Sequence, residues 1–448
     1  MNSTFDAIEP SYGSPAAHAN IQALTDVFRS GEKSGSQGLG IELEHIIVDG
    51  GGQPLPYTAD AGTAGADRGE CGSGNADGAC VQAILETLKA HFPVETRHGD
   101  DLLGVARPGA AITIEPSAQL ELSAGPFTSL AAARDELVAF ETLLADIAQE
   151  RGARVQTVGY DMARRAGDKI LIPKERYEFM NRYLSEVSPY GPCMMRASAS
   201  TQVSIDYTDE ADAMRKLRLA SAAAPLLSLI TDNAPVFEGA PRTHRMVRTK
   251  IWMECDPARC STAPGVLDPD FSFEKYAEWI LRTPAIVRMD ADGQARYDTA
   301  TFSQIFADSP MTRADAQHAL SMVFPDARLK SFVEIRPADS MPVRYVAAYA
   351  ALIKGLFYAK TALDGMDGML GGVSKAQVDA AKESLMAFGY EGAAFGRKAA
   401  ELCDGLMELA HDGLSAEERP FLKPLADLVE RRTTLADCGG ACNPLAGI

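Results

Sequence analysis

A chain of 448 residues, 46% hydrophobic and 23% charged, has the composition of a globular protein with a large core, which excludes wholesale disorder. Its 43 basic against 61 acidic side chains leave a net charge of −18, which excludes a general binder of nucleic acid or anionic membrane, because phosphate backbones select basic surfaces. Phosphate ligands stay open, since divalent cations bridge carboxylates to phosphates.

Residues 17–29 read as a short amphipathic helix, and a glycine-rich joint leads into Ile41–Asp49, which alternates as a strand. The Gly/Ala/Asp-rich stretch 58–79 reads as a flexible insertion. Residues 81–92 look helical, and 111–122 read as two short strands around Pro116. A strong helical stripe runs over 129–150, with Thr128 or Ser129 as the N-cap. A strand is expected at 153–160, a helix over Lys174–Val187, and a strand over Ser198–Tyr207. A helix capped by Asp209 follows over 209–231. Residues 328–337 read as one strand. From 343 onward the pattern is helical, with stripes near 345–362, 376–388, 394–411 and 417–433. Strands before 340 and helices after it predict an α+β fold, an antiparallel sheet with helices packed on it.

No run approaches 18 apolar residues, so no membrane span is expected. The N-terminal MNSTFDAIEPSYG lacks the basic and apolar regions of a secretory signal, so a cytoplasmic protein is expected. The eight cysteines contain no CxxC and no zinc spacing, so free thiols are expected, with Cys438 and Cys442 as the one candidate redox pair. No GxxxxGK[ST] phosphate loop occurs.

Four strand-like segments carry polar side chains at period two. Glu42 and Glu44 share one face of their strand, with Ile41, Leu43 and His45 on the other. Glu115, Gln119 and Glu121 have one parity, and so do Gln202, Ser204 and Asp206. Glu334 shares a face with Arg336. Glutamate is depleted in strands, so paired glutamates need a reason beyond a solvated face. Carboxylates converging in a cleft raise one another's pKa values unless cations neutralise them. An oxygen-rich set with little His and no Cys selects Mg²⁺ or Mn²⁺, and Mg²⁺ held by carboxylates completes its shell with water and phosphates. Periodicity leaves the substrate open.

The blocks GIELEH (40–45), IEPSAQLELSAGPF (114–127), IPKERYEFMNRYL (172–184), MMRASASTQVSIDY (194–207), RTKIWMECDPAR (248–259) and FPDARLKSFVEIRPAD (324–339) resemble, in order, those of the glutamate–cysteine ligase family. The likeness is to its plant and proteobacterial type and to the related actinobacterial ligases of ergothioneine formation. The resemblance implies one glutamine synthetase-like ligase domain over 1–448. Its catalytic sheet, curved into a funnel, would span about 38–340, and its helical part about 341–448. It also implies formation of γ-glutamylcysteine from glutamate, cysteine and ATP with Mg²⁺, the first step toward glutathione or a related thiol.

By the same resemblance, Glu44, Glu115 and Glu121 hold one magnesium ion. Glu42, Gln202 and Glu334 hold the one that touches the γ-phosphate. Arg336 stabilises the transferring phosphoryl group. Arg248 and Arg259 hold a substrate carboxylate or phosphate. Gln119 is placed with the substrate and ATP contacts, and Lys174, at a helix start after Pro173, is open between a nucleotide-phosphate contact and an exposed lysine. The family's EPGGQ reads Glu115-Pro116-Ser117-Ala118-Gln119 here, without the two glycines of a tight turn. Small-molecule substrates and a monomer or homodimer are expected. Three alternatives stay open: a ligase of the same fold using another amine, a guanidino-phosphotransferase, and a non-catalytic acidic binding protein. His45 is expected in the core or behind the site. His244, among Arg242, Arg245 and Arg248, is open between a solvated loop and a phosphate clamp.

Overall fold

The computed structural model describes residues 15–35, 38–59, 79–290, 292–440 and 443–445. Most of the expected insertion at 58–79 and Cys442 lie outside the described residues.

Nine strands form one antiparallel sheet: β1 Leu39–Asp49, β2 Val94–His98, β3 Asp101–Arg107, β4 Ala110–Ile114, β5 Leu120–Phe127, β6 Ala153–Gln156, β7 Ser200–Ile205, β8 Ala327–Leu329 and β9 Val333–Asp339. The order is β8-β9-β7-β1-β5-β4-β3-β2, with β6 paired to the far end of β1. The central strand β1 sits between β5 and β7, with Glu44 opposite Glu121 and Glu42 opposite Gln202.

Alternation assigns the two faces. Ile41, Leu43, Leu120, Leu122, Val203, Ile205, Val333 and Ile335 are buried in one continuous apolar core. The helices Leu130–Gln149, Glu210–Ile230 and Val343–Tyr358 cover that face. Glu210–Ile230 is apolar on nearly every side, as a helix buried all round must be. Its N-cap Asp209 accepts the Asp212 N–H at 2.9 Å, and Ser129 caps Leu130–Gln149 in the same way. The C-terminal helices Lys360–Leu370, Lys375–Phe388, Ala399–Gly413 and Arg419–Glu430 pack around these covering helices. Among the described residues no single helix is long and apolar enough to cross a membrane.

The structure departs from the expectations in several places, three of them in the sheet. The strand expected over 328–337 is a hairpin: Lys330 N–H donates to Phe332 O, and Arg328 pairs with Glu334 across it. The 153–160 strand stops at Gln156. The ribbon β2–β3 escapes periodicity because every residue of β2 is exposed, leaving no apolar alternation to read.

Candidate active site

The polar face of the sheet floors a cavity of about 300 Å³. Glu42 and Glu44 from β1, Glu121 from β5, Ser200 and Gln202 from β7, Arg328 from β8 and Arg336 from β9 all line it. Helices Glu175–Val187, Tyr190–Arg196 and Val247–Cys255 close the opposite side with Arg176, Tyr177, Met180, Met194, Met195, Arg248 and Trp252.

Glu115 arrives through the turn between β4 and β5. That turn is tight without glycine: Glu115 N–H donates to Gln119 O at 2.8 Å, and Ala118 N–H donates to Glu115 O at 3.0 Å. Ala118 takes the left-handed conformation, φ 68°, that glycine adopts at lower cost. Gln119 locks the turn: its oxygen accepts from Ser117 N–H at 2.9 Å, and its amide donates to Ser198 O at 3.1 Å. It lines the cavity, but its polar atoms serve the backbone.

The cavity has an acidic end. Ser200 donates to Glu44 through its backbone N–H at 2.7 Å and its hydroxyl at 2.9 Å. Thr113 and Ser123 hydroxyls each donate to Glu121 at 3.2 Å. Burial, and then the charge of Glu44, push the Glu115 carboxyl up to about 7. Burial, Glu42, Glu115 and Glu44 raise Glu121 well above the ordinary range. Burial also raises Glu42, with Glu334 adding and Lys330 opposing.

The other end is basic. Glu334 is fully buried and accepts from Arg328 at 2.7 and 3.1 Å, from Lys330 at 2.8 Å and from Arg336 at 2.7 Å. Burial alone would raise its carboxyl, but Arg328, Lys330 and Arg336 together hold it well below the usual range. Arg336 also donates to Gln202, whose amide donates to Ser200 at 3.2 Å. Three cations around one carboxylate leave this end with spare positive charge. Neither Arg328 nor Lys330 was expected to take part. The signal was present, since both share the parity of Glu334 and Arg336, but a one-strand reading hid the hairpin that gathers them.

Arg248 lines the cavity with its guanidinium stacked on Trp252 at 4.7 Å. It donates to Ala338 O at 2.9 Å and lies 3.5 Å from Asp339. The buried Nε–H groups of Arg176, Arg248 and Arg336 have no partner among the described residues.

Two expected substrate contacts do not line the cavity. Arg259 is fully buried and does not line the cavity; Asp256 at 2.6 Å, Met322 O at 2.7 Å and Pro284 O at 2.9 Å use its guanidinium. Its place at the end of RTKIWMECDPAR, a block that resembles the family's, made a brace look like a ligand contact. Lys174 lies 4.7 Å from the Tyr177 ring centre, and the lining residue of that helix start is Arg176 instead. Of the basic cluster near His244, Arg242 and Arg245 are spent on structure, Arg242 bonded to Asp232 and Asp437 and Arg245 lying 3.5 Å from Asp437, whereas Arg248 lines the cavity. His45 lies on the far face, fully buried, bonded to Glu141 and to Leu120 O.

The donor set suits a hard divalent cation. Glu42, Glu44, Glu115 and Glu121 face one cavity, and those whose carboxyls burial and mutual repulsion raise are the ones a cation would relieve. Among the described residues no three carboxylate, His or Cys groups are already drawn together as a closed metal shell. Glu334 reaches a metal only by giving up cationic partners.

The glutamate–cysteine ligase family 2 model matches residues 38–436. The chain belongs to that family. Among its relatives, the chloroplastic glutamate–cysteine ligase of Brassica juncea is 27% identical over 369 residues, covering 80% of this chain and 72% of the relative. That of Medicago truncatula is 28% identical with the same coverage. The fold matches the crystal structure of glutamate–cysteine ligase from Francisella tularensis in complex with AMP, with a TM-score of 0.53 at 12% identity over 89% of this chain and 83% of the other. The α+β, glutamine synthetase-like expectation is thus borne out, together with the helical C-terminal part.

Proposed function

We propose that this ligase joins the γ-carboxylate of glutamate to the amino group of cysteine, using ATP and releasing ADP and phosphate. Family membership over 38–436 supports the reaction class. The observation that carries the site assignment is the polarised cavity, with Glu44, Glu115 and Glu121 at one end, Arg328, Lys330 and Arg336 at the other, and Glu42 between them.

A carboxylate is a poor acyl donor. Attack of the glutamate γ-carboxylate oxygen on the γ-phosphorus of ATP forms the acyl phosphate and expels ADP. The cysteine amine then attacks the acyl carbon, phosphate leaves with its electron pair, and the amine proton is released. The first step needs alignment and charge neutralisation more than a protein nucleophile. Arg336, backed by Arg328 and Lys330, neutralises the phosphoryl oxygens, and Arg248 orients a substrate carboxylate. Glu44, Glu115 and Glu121, with Glu42 and Gln202 beyond them, would hold magnesium, which when bound screens the phosphate charge, while Glu334 would join that set only by releasing Arg328, Lys330 and Arg336. Tyr177, Met180 and Trp252 keep bulk water from the acyl phosphate.

One catalytic unit over the whole chain, a cytoplasmic location and a monomer or homodimer complete this reading. The test is ADP release with ATP, Mg²⁺ and glutamate while the amine is varied, with the product identified by mass. Stimulation by cysteine with γ-glutamylcysteine formed is the expected result. Turnover only with another amine would replace the acceptor and leave the site assignment standing.

A further inference from the structure

The C-terminal helices carry no chemical motif, yet one of them sends a buried charge to the segment that leads into the catalytic hairpin. Lys382, on the helix Lys375–Phe388, is 1% exposed. Its ammonium donates to Asp326 Oδ2 at 2.6 Å, to Ser261 Oγ at 2.8 Å and to Thr262 Oγ1 at 3.4 Å, which uses all three protons. Burying an ammonium costs several kcal/mol before its partners repay it, so packing alone does not call for a lysine here.

Asp326 stands at a decisive place. The pairing of β9 with β7 breaks its register between Ile335 and Ala338, and Arg336 and Pro337 lie in the break. Such an irregularity re-aims the side chain it contains. Arg336 N–H donates instead to Asp326 O at 3.0 Å. Asp326 N–H donates to Ser261 O at 2.7 Å, and the next two residues begin the hairpin that carries Arg328. Asp326 also borders a crevice of about 20 Å³ shared with Arg248, Trp252 and Arg336. Fixing Asp326 therefore fixes the backbone from which Arg336 reaches the cavity.

We propose that Lys382 is a positioning residue for the phosphoryl-transfer end of the site, acting through Asp326 on the aim of Arg336. This rests on the ligase reading above. Lysine on an amphipathic helix ordinarily faces solvent; here a residue well outside the catalytic strands sets the geometry of one inside them.

The test compares Lys382→Met with Asp326→Asn in the full-length protein, assaying ADP release well below melting. Asp326→Asn keeps the side-chain size and an acceptor oxygen, and it carries the test if Lys382→Met does not fold. The expected result is a kcat at least tenfold lower, with KM for glutamate and cysteine within twofold of wild type. A merely structural lysine lowers Tm and leaves the kcat of folded protein unchanged, and that result overturns the proposal. Wild-type protein that releases no ADP with any amine overturns the ligase reading and this one with it. Active wild type with unaffected variants overturns this one alone.

Discussion

Replacing Arg259 by methionine separates the family resemblance from the structure. The resemblance makes Arg259 a substrate contact, whereas the structure makes it a brace. Its guanidinium is fully buried, paired with Asp256 and bonded to the carbonyls of Met322 and Pro284. Methionine keeps the stem's volume but leaves the buried Asp256 without its cation. Removing one partner of a buried pair costs about 3–5 kcal/mol. An unfolding entropy of roughly 2 cal/mol/K per residue gives about 0.9 kcal/mol/K for 448 residues. A loss of about 4 kcal/mol therefore lowers Tm by about 4 °C. Calorimetry or thermal-shift measurement reads that drop. Steady-state kinetics below the transition read KM for each substrate, expected within twofold of wild type. An unchanged Tm with a KM raised tenfold for glutamate or ATP would refute the brace and return Arg259 to the substrate.

Glu44→Gln and Glu121→Gln, opposite one another on β1 and β5, should leave circular dichroism unchanged and cut turnover by about 10²-fold or more; near-normal turnover removes that residue from the site. Excess chelator should abolish ADP release and Mg²⁺ restore it, with Mn²⁺ a working substitute; full activity in chelator defeats the metal assignment. Arg336→Lys keeps the charge but not the planar guanidinium whose Nη1 bonds both Glu334 and Gln202, so kcat should fall by about 10²-fold, measured by single-turnover acyl-phosphate formation. Glu141→Gln weakens the buried His45 contact and should cost about 2 kcal/mol in denaturant unfolding, with KM values unmoved because the pair lies on the far face.

What sequence could show depended on whether a residue's role is local. The Glu42–Glu44 face and the Gln202 strand follow from parity alone, because a period of two assigns faces without knowing the neighbours, whereas Glu115 enters through a turn, across which parity assigns no face. The order of these strands does not follow from parity, and the pairing of Glu44 with Glu121 appeared only with the register. Arg328 and Lys330 were missed because the turn Lys330–Phe332 carries no glycine, proline or asparagine to mark it. Arg259 and Lys382 were misread or unread for a shared reason. Arginine and lysine are mostly exposed, and burial that defies this preference is set by partners distant in sequence.

The charge layout explains why the two kinds of residue must sit on one sheet. Carboxylates alone would repel both glutamate and ATP, and cations alone would hold phosphate so firmly that release became slow. Unlike charges on adjacent strands of a rigid sheet fix their separation through the register, which loops do not do. Glu334 sits at the junction, and Arg328, Lys330 and Arg336 are held in a fork by it before any ligand arrives. Preorganised cations stabilise transferring charge without reorganising at the moment of reaction. The buried glutamate is therefore useful at this end even without metal, as the anchor that keeps three mutually repelling cations within one small cavity. Glu334→Gln tests this directly. Loss of the anchor should loosen all three, lowering kcat by more than the Arg336→Lys change alone, and an effect no larger than that of Arg336→Lys would show that Arg336 is held by Gln202 and the backbone instead.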